Sequence, residues 1–444
     1  MPAGAIWALF AGYRIWRSVS GPPWQWQDSA TYIAAARHPL LSVAFLAGQR
    51  APVVPLLWKL TGTPESYVVT QTVLAVAAWS VLALTVARLA RPGWAATVAG
   101  TAVLGFATCW KVLEWDWSVL SESVSLSCVA LIAAATIWLS RRFSLPRAAT
   151  LVAACVVYEG ARDQAIWAAG ATGIGLVAWA ALRGEQPSRR PAARGNRRSP
   201  RRLAALGLVL LATAGLGEAG AAYSGRNVVN VEDVFVVRIF PFPSRVAWFA
   251  RHGMPQSASL DALARTTPAK PGKAEVVGPD LQASSWAPLA GWFDHRAEVT
   301  FLEFVATHPG YDLTTPFRRP ELTFNDAGGN LAFYGVVGNG TRSFLPVLPA
   351  LLFPSWPVEA ALAAGSLALV ALRRRHDPEL LAALAALALT GALSMLIAWQ
   401  GDGMEVARHT VEGSVQVRLA VLVLALLAVL PLRDRSEPNR AGLS

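Results

Sequence analysis

Residues 66–89 read SYVVTQTVLAVAAWSVLALTVARL, and two more stretches follow after short connections, 93–112 (GWAATVAGTAVLGFATCWKV) and 118–139 (SVLSESVSLSCVALIAAATIWL). About 20 consecutive apolar residues are needed for a helix to cross a hydrocarbon core, so each stretch is predicted to span a membrane. An open sheet would leave backbone donors and acceptors unpaired in lipid, which makes helices the expected form. Applied outward, the same reading gives ten candidate spans near 3–18, 66–89, 93–112, 118–139, 146–160, 164–182, 203–223, 350–372, 379–399 and 419–432. The expected fold class is an all-α polytopic membrane protein with about ten transmembrane helices and one long extracytoplasmic loop.

The bulk numbers agree. Of 444 residues, 54% are hydrophobic and only 15% charged, where a soluble domain carries about 25% charge. A net charge of +11 in a soluble protein would point to nucleic acid. Here the surplus lies between apolar spans, where it sets orientation and meets anionic headgroups, so the expected partner is the lipid bilayer and not nucleic acid. The three cysteines, Cys109, Cys128 and Cys155, all fall inside apolar spans and support neither a disulfide framework nor a Cys-based metal site. Arginine far outnumbers lysine and alanine is abundant, which points to a GC-rich bacterial genome and hence to a bacterial plasma membrane.

Arginine also sorts the connections. Arg88 and Arg91, then Arg141, Arg142 and Arg147, then the run 183–202, then Arg373 to Arg375, then Arg433 and Arg435 alternate with connections that hold the acidic, histidine and aromatic residues. Short Lys/Arg-rich loops stay cytoplasmic, which puts both termini inside. The expected layout is an N-terminal membrane domain 1–182 with a first outer loop 19–65, a basic linker 183–202 and a helix 203–223. An extracytoplasmic loop domain 224–349, C-terminal membrane helices 350–432 and a cytoplasmic tail 433–444 complete it. The linker is too charged and Pro-rich to build a core. The loop domain has apolar patches and enough Pro and Gly to be read as a small α/β or irregular insert. The first span is short and places Arg14 and Arg17 at its outer end, so either the start is misassigned or these arginines snorkel to the interface. A cleavable signal peptide fits less well, for lack of a basic start. Tryptophans at the outer boundary (Trp24, Trp26, Trp58, Trp110, Trp115, Trp117 and Trp399) read as an interfacial belt, with some available to line a groove.

Four outer connections carry chemistry. In the first, Asp28 follows Pro22 and Pro23, where it would cap a new helix, or, among Trp24, Trp26 and Tyr32, act as a general base or metal ligand with its pKa raised by apolar walls. In the second, Glu122 sits among serines at the outer end of its span, where an acid is costly unless paired or functional. The third packs Glu159, Arg162 and Asp163 into a tight turn. An ion pair within that turn is one reading, and Arg162 holding a lipid phosphate is the other. In the fourth, Glu405, Arg408, His409 and Glu412 recur at helical steps, as a braced face or as cations for a departing phosphate. His252, Asp294, His295 and His308 fit no zinc spacing and are read as supporting the fold, and the sequon at Asn339 as chance.

A short first span, an outer loop with an acidic residue and a tyrosine four positions on (Asp28 and Tyr32), many further spans and a large outer loop together resemble the GT-C superfamily of integral membrane glycosyltransferases. The resemblance implies an essential acid in the first loop, at the position of Asp28, and a polyprenyl-phosphate-linked sugar as donor. Asp28 is followed by Ser29 and not by the second acid of the commonest form, which leaves a divalent metal cofactor (Mg or Mn) open, with no metal ligand assigned. The expected reaction moves a sugar to a glycan, lipid or protein acceptor on the outer face. Asp28 and Glu122 are expected in catalysis, and Trp26, Tyr32, Arg162, Asp163, Glu405, Arg408 and His409 in substrate binding, with Arg162, Arg408 and His409 on the leaving phosphate. The rival is a transporter, flippase or scaffold for lipid-linked saccharides. A transporter is expected to carry polar residues at mid-span and internal repeats, and these spans read as clean and unrepeated.

The topology is open to a direct check. A cysteine introduced at Ser188 is expected to stay protected from an impermeant maleimide in intact cells while one at Ser284 reacts; the reverse pattern would contradict the assigned sidedness.

Overall fold

The computed structural model describes residues 3–184, 200–258, 260, 287–324, 352–373, 377–401 and 405–431. Every regular element among them is helical. Most of the basic linker, the sequon at Asn339 and the tail after 431 lie outside the described residues.

Six helices are long and apolar enough to cross a membrane: α5 (Pro64–Ala87), α8 (Glu122–Arg141), α10 (Gln164–Gly184), α11 (Pro200–Tyr223), α19 (Pro378–Gly401) and α21 (Val411–Val429). The stretch expected as one span at 93–112 is two helices, α6 (Gly93–Ala107) and α7 (Trp110–Leu113) with a 3-10 turn to Trp117, bent by 62°. Counted together they give a seventh. The remaining expected spans form shorter helices, α1 (Ala3–Val19), α9 (Leu145–Glu159) and α18 (Trp356–Leu372). Among the described residues the chain is thus helical throughout, as expected of an all-α membrane protein, with six or seven helices long and apolar enough to span.

Small residues set two of the helix pairings. A Cβ added to Gly173 of α10 would lie 2.8 Å from the Gly207 carbonyl of α11, and one on Gly391 of α19 would lie 2.8 Å from the Gly413 carbonyl of α21. Only glycine allows these backbones to meet, which is how helices associate where no hydrophobic effect drives them together. The second contact seats the start of α21 inside the bundle, and α21 begins at Val411, eight residues before the start read from hydropathy. Glu412, Gln416 and Arg418 are thus buried within a long apolar helix, and the reading of the spans as clean does not hold.

Three of the arginine-bearing connections meet at one end of the helices. There Arg141 pairs with Asp377, the Arg91 amide donates to the Pro431 carbonyl at 2.9 Å, and Arg373 donates to the Ala428 carbonyl at 2.8 Å. At the other end gather the first loop, the α7–α8 turn, the α9–α10 turn and the α19–α21 connection. The first loop is sewn on by backbone: the Trp24 amide donates to Trp117 at 2.9 Å, and the Val119 amide donates back to Trp24 at 2.9 Å. Near this end, within the bundle, Gln71 of α5 donates to the Asp116 and Ser118 carbonyls at 3.0 and 2.7 Å.

Arg14 does not snorkel. It is 1% exposed and grips Asp116 through both oxygens at 2.7 and 3.0 Å, and Ser123 donates to the same carboxylate at 2.7 Å. Trp115 and Trp399 are also buried, so the outer tryptophans are not simply a lipid-facing belt.

The described part of the 224–349 insert is helical, not α/β. It comprises α12 (Arg226–Val234), α13 (Pro243–Arg251), α14 (Ala287–Trp292), α15 (Glu298–Thr307), α16 (Pro309–Arg318) and α17 (Pro320–Thr323). Its separate core centres on Phe235, whose ring meets those of Phe249 at 4.6 Å and Phe293 at 5.1 Å. His252 stacks on Trp248 at 3.7 Å and His308 on Phe304 at 4.3 Å, so both help build this aromatic core.

The Arg14–Asp116 pair gives a stability test. Arg14→Leu leaves a buried carboxylate uncompensated and is expected to cost about 3–5 kcal/mol, whereas the double change Arg14→Leu with Asp116→Leu should recover most of it. Thermal unfolding in detergent reads both; an Arg14→Leu protein as stable as the parent would refute the pairing.

Candidate functional site

Asp28, Glu122, Arg162, Glu405 and Arg408 converge, and Arg408 is the hub. It lies in α20 (Val406–His409), a single turn between α19 and α21. Its Nε donates to Glu122 Oε1, and its Nη1 reaches Asp28 Oδ2 at 2.6 Å and Glu405 Oε2 at 2.7 Å. Glu122 Oε1 also accepts from Arg162 at 3.0 Å, and Arg162 continues to Glu412 at 2.6 Å. Gln164 closes the chain by donating to Glu412 at 3.2 Å and to the His409 carbonyl at 2.9 Å. Residues from four connections far apart in sequence thus share one ionic network.

Burial divides it into a floor and a rim. The side chains of Glu122 and Glu412 are 0% exposed, those of Arg408 and Arg162 4% and 7%. Asp28 at 21%, Glu405 and His409 at 24% and Arg50 at 30% reach the surface. Breaking a buried pair by removing one member costs several kcal/mol, so the floor holds the rim in place. Glu122, read as catalytic, lies wholly within the floor, and its second oxygen is buried without a partner.

Asp28 is not the helix cap. The helix α2 (Gln27–Ala35) starts one residue earlier, and Ser29 accepts from the Trp26 amide at 2.9 Å while donating to the Val119 carbonyl at 2.8 Å. The Asp28 carboxylate is free to take two guanidiniums, Arg408 and Arg50. Burial works to raise its pKa, but Arg408 and Arg50 together outweigh that and hold the carboxyl well below the usual carboxylate range. The apolar walls therefore do not make it a base of raised pKa. Burial likewise opposes the charge on Arg408, yet Glu122, Glu405 and Asp28 keep its guanidinium well above the ordinary value. Tyr32 is buried, which raises its phenol, and the Arg50 guanidinium lies over its ring at 4.9 Å.

The tight α9–α10 turn is not closed by an ion pair of its own. Arg162 pairs with neither Glu159 nor Asp163 but reaches inward to Glu122 and Glu412. Asp163 instead holds Arg226, from the start of the insert, at 3.0 Å, and Glu159 accepts from Thr213 at 3.2 Å. Asp163 is thus a tether between the bundle and the insert, outside the network. Trp26 stacks on Trp24 with ring centres 5.7 Å apart, beside α2.

One member, Arg50, escaped the sequence reading, and another, Glu412, was given a different partner. Arg50 is 22 residues from Asp28, beyond any helical spacing, and only the fold brings them together. Glu412 was placed on one helical face with Glu405, Arg408 and His409, but the fold turns it to Arg162. With both included, the network holds four carboxylates (Asp28, Glu122, Glu405 and Glu412) and three guanidiniums (Arg50, Arg162 and Arg408). Every one of these carboxylates has an arginine on it, and among the described residues no three His, Cys, Asp or Glu side chains are grouped to hold an ion. The donor set as built does not fit a divalent metal.

Such a site can bind an anion through arginines that trade one oxygen for another, and can offer a carboxylate to a proton. Compared with known protein families, with curated proteins and with solved structures, the chain matches none.

Proposed function

We propose that the protein is a membrane glycosyltransferase that moves a sugar from a polyprenyl-phosphate donor to an envelope glycan, lipid or protein acceptor at the outer face of a bacterial plasma membrane. The observation that carries this reading is the rim in which Asp28 shares Arg408 and Arg50 at the end of the bundle opposite the arginine-rich connections. A lipid-linked donor suits that side, where nucleotide sugars are not supplied.

The chemistry follows from the arginines that Asp28 shares. A donor phosphate enters by taking Arg50 and Arg408 from Asp28. Losing its arginines raises the proton affinity of Asp28 as the donor seats. The acceptor hydroxyl then attacks the anomeric carbon, the bond to the phosphate oxygen breaks, and the hydroxyl proton passes to Asp28. Arg50, Arg408 and His409 bear the charge of the departing phosphate. Arg162 and Glu122 touch no substrate and serve to position Arg408. Glu405, on the same guanidinium, competes with the donor for it, and Tyr32 underlies Arg50.

A transporter or flippase for lipid-linked saccharides is the second reading, favoured by Glu412, Gln416 and Arg418 buried in a long apolar helix. Asp28→Asn separates the two. Arg408 keeps Glu122 and Glu405, so the variant should reach the membrane at normal levels while turnover falls by about 10²–10⁴. Complementation of a deletion strain, scored by envelope glycan composition with protein quantified in the membrane fraction, is the assay. Wild-type glycans from normally expressed Asp28→Asn would remove the acid from catalysis and favour transport.

A further inference from the structure

The helical insert contains a cavity of about 440 Å³ that the Asp28 network does not use. It lies among α13, α15 and α16 and is lined by Arg245, Arg251, Arg318, Trp248, Phe304, His308 and Tyr311 together with small residues, with no acid among its described walls. Of the described acids nearby, Glu321 pairs with Arg319, and Glu303 lies 3.9 Å from His252. Arg245 is held in place, donating to the Arg238 carbonyl with its guanidinium over the rings of Phe242 at 3.8 Å and Tyr311 at 4.8 Å. Arg251 and Arg318 are exposed at the mouth.

Three guanidiniums thus line one cavity whose described walls hold no carboxylate, an arrangement that favours an anion. Burial, and then the charge of Arg318, push the Arg245 guanidinium below its usual value. Arginine forks match the oxygens of a phosphate. The aromatic walls supply apolar faces for a ring. The volume lies within the roughly 300–1,000 Å³ of small-molecule sites, which fits a sugar phosphate. The cavity is also tied to the bundle, because Thr315 of α16 accepts the Trp399 indole N–H of α19 at 3.1 Å.

We propose that this cavity is a binding site for a phosphorylated saccharide, distinct from the Asp28–Arg408 network and independent of the reaction run there. The ligand is either a soluble sugar phosphate or the phosphorylated polyol headgroup of a lipid, since both present the same chemistry.

Equilibrium dialysis of the full-length protein in a neutral detergent, with a labelled hexose 1-phosphate as probe, tests it. Saturable binding is expected, with unphosphorylated hexose much weaker and inorganic phosphate competing. Changing the two mouth arginines, Arg251→Gln with Arg318→Gln, should weaken binding by about tenfold or more, as expected for lost charged hydrogen bonds, while thermal unfolding stays unchanged. Asp28→Asn should bind like the parent. Competition by phosphatidylinositol dispersed in the micelles would identify a lipid headgroup as the source, and its failure to compete would identify a soluble sugar phosphate. The proposal is overturned by no saturable binding of either probe, by equal binding of free hexose, by an affinity indifferent to the arginine changes, or by loss of binding in Asp28→Asn.

Discussion

One oxygen of Glu122 accepts from both Arg162 and Arg408, and the geometry of the whole site depends on that shared, fully buried atom. A carboxylate at the end of an apolar helix is costly unless paired, and two guanidiniums could not be brought so close without it. Each charge makes the others tolerable. Because the partners come from the α9–α10 turn and from the turn between α19 and α21, meeting this electrostatic demand also fixes how the front and back helices of the chain assemble.

Rim and floor then divide the labour. Arg408 is anchored by Glu122 beneath and shared by Asp28 and Glu405 above, so its outer contacts can be exchanged without loss of its position. That is what an anion-binding arginine in a membrane protein needs: a guanidinium already desolvated and oriented, whose outer partners are exposed enough to yield. The low proton affinity of Asp28 before a ligand arrives follows from the same arrangement. The insert adds a second group of arginines with a different character, walled by aromatic rings and with no acid among the described lining residues.

The helical membrane class was legible because a run such as 66–89 admits few alternatives, and the arginine sorting anticipated which helix ends lie together. Asp28, Glu122, Arg162 and Arg408 were legible as candidates because charge beside apolar runs demands a reason. Their partnerships were not. Arg162 sits one residue from Asp163 and three from Glu159, yet it bonds to residues 40 and 250 positions away. Sequence spacing ranks near neighbours first, and only the fold decides among them. The start of α21 was misread because Glu412, Gln416 and Arg418 depress local hydropathy; the network and the Gly391–Gly413 contact supply what the apolar count lacks. The insert looked irregular because its Pro and Gly content hides short helices, two of them continued by a π-helical turn.

The account rests on Glu122 and Arg408 being energetically coupled, and a double-mutant cycle measures that directly. Glu122→Gln, Arg408→Gln and the pair would each be unfolded in detergent micelles against the parent. Close buried charge pairs couple by about 1.5 kcal/mol or more, so the double variant should be more stable than the two single losses predict by at least that amount. Losses that add to within about 0.5 kcal/mol, the behaviour of distant and independent sites, would contradict it.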